Sequence, residues 1–284
     1  MLRLGRELAR GVRFSAPVFQ RALASAQHMR DFAEREGVAK LVAVGTSAMR
    51  EAENGRELRD GLSSVLGVPV RILSGREEAR VIFDAIRARL ALGRETTLGL
   101  DLGGGSLEFA LGDARGMRWD ATLPAGVVRL QGQLIEEDRR GRIPLRQLDL
   151  VRERVRKLVR PLRRRVGRAA PARVVVTGGT VRALARLASR GRRSDAALSG
   201  LELDALDLNE IAAELARDTR AERLQRRGMT PRRVDLLPVG AAVLAATLFE
   251  LELPALRCCD WGLREGLALE VLGAGPPRGR SRRR

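Results

Sequence analysis

Residues 96–113, TTLGLDLGGGSLEFALGD, constrain the fold more tightly than any other stretch. Apolar residues alternate on both sides of Gly103, Gly104 and Gly105, with Asp101 shortly before the glycines and Ser106 directly after them. Alternation with a period of two is the pattern of a strand, and consecutive glycines interrupt one. The stretch therefore reads as strand, glycine turn, strand, and MRWDATLP at 117–124 extends it into a β-meander. The glycines have two explanations. They let the chain reverse tightly, or they bare successive backbone N–H groups so that an anion such as phosphate can approach.

Around this meander the chain alternates between helical and strand patterns. Ser15 and Pro17 open a helix in which Val18, Phe19, Leu23, Ala26, Met29 and Phe32 recur at helical spacing, closing at Gly37. A strand at 40–46 leads into the short helix SAMREAENG, then a helix GRELRDGLSSVLG and a strand at 70–74. Ser74 caps the next helix, GREEARVIFDAIRARLAL, with Glu77 completing a capping box. Beyond the meander come a charged helix at 145–165, the strand RVVVTGG at 173–179 and the helix TVRALARLA. A helix capped by Asp207, an apolar helix within 236–249, the strand ALRCC and the helix GLREGLALEVL complete the chain. Such alternation predicts an α/β fold with a partly parallel sheet. The expected organisation is a first unit over 1–93, a second over 94–272 and a disordered basic tail over 273–284.

Composition excludes several kinds of chemistry. His28 is the only histidine and falls on the polar side of the first helix, so Ser-His-Asp triads, phosphohistidine catalysis and histidine-rich metal sites lack their parts. Cys258 and Cys259 are adjacent and ill placed to pair, which points to a reducing cytoplasm. The apolar run at 236–249 is too short to cross a bilayer and reads as a core helix, and the basic start has no signal-peptide core behind it. Of 53 basic residues only Lys40 and Lys157 are lysine, and the formal net charge is +18. Arginine forks grip phosphate oxygens, so a polyanion is welcome on this surface. With 3% aromatic residues and no nucleic-acid motif, sequence-specific nucleic-acid recognition is not expected. The spacing of Cys258 and Arg264 in CCDWGLR matches a thiolate phosphatase loop, a minor reading that Asp260 and Trp261 would obstruct.

A second glycine turn, TGGT at 177–180, also follows an apolar strand and opens a helix, whose N-terminus favours anions. Asp101, at the end of its own strand, is placed to hold Mg²⁺. Each turn alone is as well explained by tight chain reversal. Together, in order with VGTSAMREAENG, ILSGREEARVIFDAI, LPAGVVRL, VVVTGGTVRALARL and DWGLREGLALE, they make the chain similar to the exopolyphosphatase/guanosine pentaphosphate phosphatase (Ppx/GppA) family of the actin-like ATPase superfamily. The matching stretches run over nearly the whole chain.

That resemblance implies two actin-like, ribonuclease H-like domains with an interdomain cleft, the first N-terminally truncated. It implies a phosphohydrolase that releases terminal phosphate from inorganic polyphosphate, guanosine pentaphosphate or both, by Mg²⁺-assisted (or Mn²⁺-assisted) attack of water. Glu78, the second glutamate of the EEA triplet, would act on the water, and Arg50 would grip a phosphate. Asp101 would hold the metal, while Gly103, Gly104, Gly105 and Ser106 form a phosphate loop. Gly178, Gly179 and Thr180 would serve the chain or nucleotide end of the substrate, with Arg129 and Glu108 as secondary contacts. A homodimer is a further family-level expectation.

The family's first phosphate loop, Asp-x-Gly-Ser-x-Ser, has no counterpart here; the opening MLRLGRELARGVRF resembles the segment that follows it. The expected consequences are one phosphate cradle and one metal-holding aspartate fewer, and apolar surface on the first domain. An upstream start codon would account for this. The alternative is a paralogue that binds polyphosphate or an alarmone without turning it over.

Overall fold

The computed structural model describes residues 12–192 and 194–273; the expected tail at 274–284 lies outside them. The chain divides into two compact units, between Glu78 and Ala79.

In the first unit, helix α1 (Ala16–Arg35) starts with Pro17 at its first turn, where a missing N–H costs nothing. Its buried stripe is Val18, Ala22 and Ala26, and Val18 and Ala22 pack with Leu58 of α3 (Gly55–Leu66), Phe14, Met49 and Val70. Two short parallel strands, β1 (Ala43–Gly45) and β2 (Val70–Ile72), pair with Ala43 opposite Val70, and α2 (Ser47–Glu51) follows β1 directly. The helical spacing extends to Met29 and Phe32, yet these stand 65% and 56% exposed. The reason is that α3 ends level with Arg30, whose Nη1 donates to the Val65 carbonyl at 3.1 Å, so among the described residues the stripe has no helix partner there. The unit closes on the first turn of α4 (Gly75–Leu90). There the expected capping box forms: Glu77 N donates to Ser74 Oγ at 3.2 Å and Ser74 N to Glu77 Oε2 at 2.8 Å.

The second unit is a six-stranded mixed sheet. Its strands are β3 (Thr97–Leu102), β4 (Leu107–Asp113), β5 (Gly116–Leu123), β6 (Arg173–Thr177), β7 (Glu202–Asp204) and β8 (Ala255–Cys258), in the order β5-β4-β3-β6-β8-β7. The meander β3-β4-β5 is antiparallel, β6 and β8 run parallel to β3, and β7 is an antiparallel edge. Helices cover both faces, which is why β3 and β6 read as near-continuous apolar runs. Leu98, Leu100, Leu102, Val174 and Val176 belong to the larger core, with α6 (Leu145–Val159), α10 (Ala205–Arg217) and α12 (Leu237–Glu250). Phe83 and Ile86 of α4 pack with Ala110 and Val175 in a second core. The apolar run at 236–249 is indeed a core helix, α12, buried on nearly all sides. Between β5 and α6 lies α5 (Val127–Leu134); after β6 comes α8 (Gly179–Ala188), and α13 (Leu263–Leu272) ends the described chain.

Three local expectations are corrected. The charged helix at 145–165 breaks at Pro161 into α6, a single 3-10 turn and α7 (Arg163–Ala169), because proline cannot continue the hydrogen-bond ladder. The cap of α10 is Asp204, whose Oδ1 accepts from the N–H groups of Leu206 and Asp207 at 2.8 Å each; Asp207 sits within the first turn. Four short elements were not foreseen: α5, α9 (Asp195–Leu198), β7 and α11 (Arg220–Gln225), the last opened by a Thr219/Glu222 capping box.

Candidate active site

Both glycine turns sit at the C-terminal ends of adjoining parallel strands. Asp101 of β3 pairs in register with Thr177 of β6, so the turn after Leu102 and the turn after Thr177 lie side by side. Gly178 holds a φ of +113°, and a Cβ there would fall 2.8 Å from the Leu102 carbonyl and 2.9 Å from Asp101 Oδ1. Only glycine lets the two turns close on each other with the aspartate between them. Helix α8 starts at Gly179, so its unsatisfied N-terminal N–H groups gather at the same place. Thr180 is fully buried, and its Oγ1 accepts from Arg233 Nη1 at 3.1 Å, so its contribution to the turn is its backbone.

The Gly103–Ser106 turn is held by its carbonyls. Gly103 N donates to Ser106 O at 3.1 Å, while Gly103 O and Gly104 O accept from Val127 N and Val128 N at 3.1 and 2.9 Å. Arg129 Nε donates to the Gly105 carbonyl at 2.8 Å. The carbonyls thus turn toward α5, and among the described residues the Gly104 and Gly105 N–H groups have no backbone acceptor. That is the polarity of an anion cradle. Arg129, expected as a substrate contact, braces the turn from behind.

One residue in this turn was missed by sequence reasoning. A Cβ on Gly126 would lie 2.4 Å from the carbonyl carbon and oxygen of Gly104 and from the carbonyl carbon of Gly105. Gly126 is the floor of the cradle. Its signal was the LPAGVVRL match, from which only Arg129 had been drawn.

For a divalent cation, Mg²⁺ takes one or two carboxylates and completes its shell with water and substrate phosphates. Asp101 and Glu108 are opposed residues of β3 and β4, on one face of the sheet, next to the glycine turn. Among the described residues no three His, Cys, Asp or Glu side chains gather as a dedicated metal cage. The pair suits Mg²⁺ and offers too little for a structural metal.

The first unit presents a different constellation. Glu78 stands on the first turn of α4, only 5% exposed, and its Oε2 lies 3.3 Å from Arg50 Nη1. The same Nη1 donates to the Leu73 carbonyl at 2.6 Å, which ties α2 to the residue just after β2. Burial raises the pKa of Glu78, while the charge and hydrogen bond of Arg50 pull it back down. A carboxylate so poised is suited to take a proton from water.

The cysteines show the opposite character. Cys258 and Cys259 are buried, and burial pushes their thiols up to about 12 and about 11. A nucleophilic cysteine needs a depressed pKa. The neighbouring Asp260 is engaged by Arg89 Nε at 2.8 Å, so CCDWGLR folds as a braced core segment. Replacing Cys258 by serine is therefore expected to leave phosphate release from polyphosphate unchanged; abolition in a folded variant would restore the thiolate reading. His28 is exposed, as its place on the helix predicted.

The sheet order, with a meander continued by parallel strands and glycine turns at their C-terminal ends, defines an actin-like, ribonuclease H-like α/β protein. The chain belongs to the Ppx/GppA phosphatase family, whose family model matches residues 1–274. It is 32% identical over 237 residues to Exopolyphosphatase 1 of Mycobacterium tuberculosis (strain ATCC 25618 / H37Rv), covering 83% of this chain and 68% of that protein. It is 29% identical over 275 residues to the uncharacterized protein SCO0757 of Streptomyces coelicolor, covering 97% and 82%. Among solved structures, an exopolyphosphatase from Cytophaga hutchinsonii superposes with a TM-score of 0.81 at 23% identity, over 94% of this chain and 85% of that one. The Aquifex aeolicus family member does so with a TM-score of 0.76 at 23% identity, over 95% and 87%.

Proposed function

We propose that this chain releases the terminal phosphate of inorganic polyphosphate by direct attack of water. The observation that carries the reading is the buried Glu78 carboxylate with its pKa raised by burial and its Oε2 set 3.3 Å from Arg50 Nη1. In this mechanism Glu78 accepts a proton from the attacking water, which breaks the terminal P–O bond and leaves inorganic phosphate and a chain one unit shorter. Arg50 steadies the carboxylate and binds a phosphate oxygen. In the second unit, the Gly104 and Gly105 amides and the α8 N-terminus offer donors suited to phosphate oxygens of the substrate chain. Asp101, with Glu108 beside it, would hold Mg²⁺ or Mn²⁺, which when bound supplies charge neutralisation on the phosphate oxygens. No covalent enzyme intermediate is required, in keeping with a single exposed histidine and protonated cysteines.

Guanosine pentaphosphate ends in the same phosphoanhydride and belongs to the same proposal. The test is phosphate release from polyphosphate and from guanosine pentaphosphate, with and without a chelator. Release that needs a divalent cation supports the reading. Tight binding of either substrate without any release would replace it with a binding role.

A further inference from the structure

At the other end of the sheet the chain carries a feature that the proposed chemistry does not use. Helix α7 (Arg163–Ala169) presents Arg164, Arg165 and Arg168 to solvent, around a depression of about 480 Å³ completed by Pro161 and Ala169, with no carboxylate in its lining. Arg164 and Arg168 are four residues apart on one helix, and Arg165 and Arg168 three apart, spacings at which like charges repel. The two arginines that precede them are neutralised: Arg160 pairs with Glu250 at 3.0 Å, and Arg163 pairs with Glu252. Arg164, Arg165 and Arg168 have no such carboxylate among the described residues. An unneutralised guanidinium triplet beside paired neighbours is an arrangement that a bound polyanion relieves.

The position separates this patch from the glycine turns. Helix α7 leads into the start of β6, whereas Asp101 and Thr177 lie at its far end, roughly 13 Å along the strand at 3.3 Å per residue. The patch also lacks what a nucleic acid would use. The Trp119 ring that meets the patch is partly buried and lies under the Arg165 guanidinium at 6.0 Å, so its face is not open for base stacking.

We propose that Arg164, Arg165 and Arg168 form an accessory docking site for a segment of an inorganic polyphosphate chain remote from its scissile end. This rests on the hydrolase reading for the identity of the chain, and on the arginine geometry alone for the site. A chain that engages both places gains affinity through effective concentration, an advantage that tripolyphosphate is too short to share.

The test measures binding of long-chain polyphosphate and of tripolyphosphate, by calorimetry over a range of salt, to wild type and to the R164Q/R165Q/R168Q variant. A second variant, R160Q/R163Q, removes nearby but paired arginines as the charge control. The triple variant is expected to lose about a hundredfold in affinity for the long chain. Its salt dependence should become shallower by about 2 to 3 in log–log slope. The control should lose far less. Unchanged long-chain affinity in the triple variant, or an equal loss in the control, overturns the site. Single-stranded RNA of equal charge binding as tightly through the same arginines overturns the assignment to polyphosphate. Phosphate release is followed in parallel on the wild type. Arginine-dependent binding without release keeps the site and rejects the hydrolase reading; release without arginine-dependent binding does the reverse.

Discussion

Replacing Glu78 by glutamine is expected to lower the rate of phosphate release from polyphosphate by about 10²- to 10⁴-fold, with little change in polyphosphate binding. Glutamine keeps the size and polarity of the side chain but accepts no proton at neutral pH. A drop in rate in a variant that still folds cooperatively and keeps its affinity identifies the base; an unaltered rate rejects it. The pH profile supplies an independent check. Burial raises the Glu78 pKa, so the acid limb of kcat/KM lies above the ordinary carboxylate range. Arg50 opposes that shift, so Arg50→Gln moves the acid limb to still higher pH, whatever it also does to phosphate binding. The linkage to stability carries a definite sign. A carboxyl group whose pKa is higher folded than unfolded binds its proton more tightly in the native state. Its stabilisation is complete below the unfolded value and lost as the pH rises through the folded one. The E78Q chain should therefore melt at a higher temperature than wild type near neutral pH, and the difference should shrink in acid.

The second large effect concerns Gly126. Its backbone, at φ −69° and ψ 150°, suits any residue, so Gly126→Ala introduces no dihedral strain. The obstacle is contact alone: a Cβ would sit 2.4 Å from the carbonyl groups of Gly104 and Gly105. Backbone atoms cannot rotate away as a side chain can, so the glycine turn must be displaced. Overpacking of this kind costs about 1–3 kcal/mol of stability. The activity loss should exceed what stability explains, because misplacing the cradle by about 1 Å costs on the order of 10²-fold in rate. Phosphate release, measured well below the melting temperature of the variant, separates the two. Normal kinetics in Gly126→Ala would show that the turn is not the phosphate cradle.

Much of the architecture was legible in the chain. The meander, the parallel strand before TGGT, the capping box of Ser74 and Glu77 and the core helix at 236–249 all follow from short-range patterns. What escaped has identifiable physical causes. Strand β7 is three residues long and pairs only through β8, so its signal is tertiary. The exposure of Met29 and Phe32 depends on where α3 ends, which helical spacing along α1 does not report. Asp204 and Asp207 are both sound helix-start residues, and only the backbone angles decide between them.

For the site, residue types and spacing alone determined which chemistry lacked its parts, and they picked out two glycine turns, an aspartate at a strand end and a glutamate pair at a helix start. Pattern along a chain records what each residue does to its own neighbours. It carries no record of contacts between segments distant in sequence. Only the tertiary structure placed Gly178 against Asp101, set Gly126 beneath Gly104, turned Arg129 behind the loop and buried Glu78 beside Arg50. Register decided the first, close packing of backbone on backbone the second, a side-chain hydrogen bond to the Gly105 carbonyl the third, and desolvation against an ion pair the last.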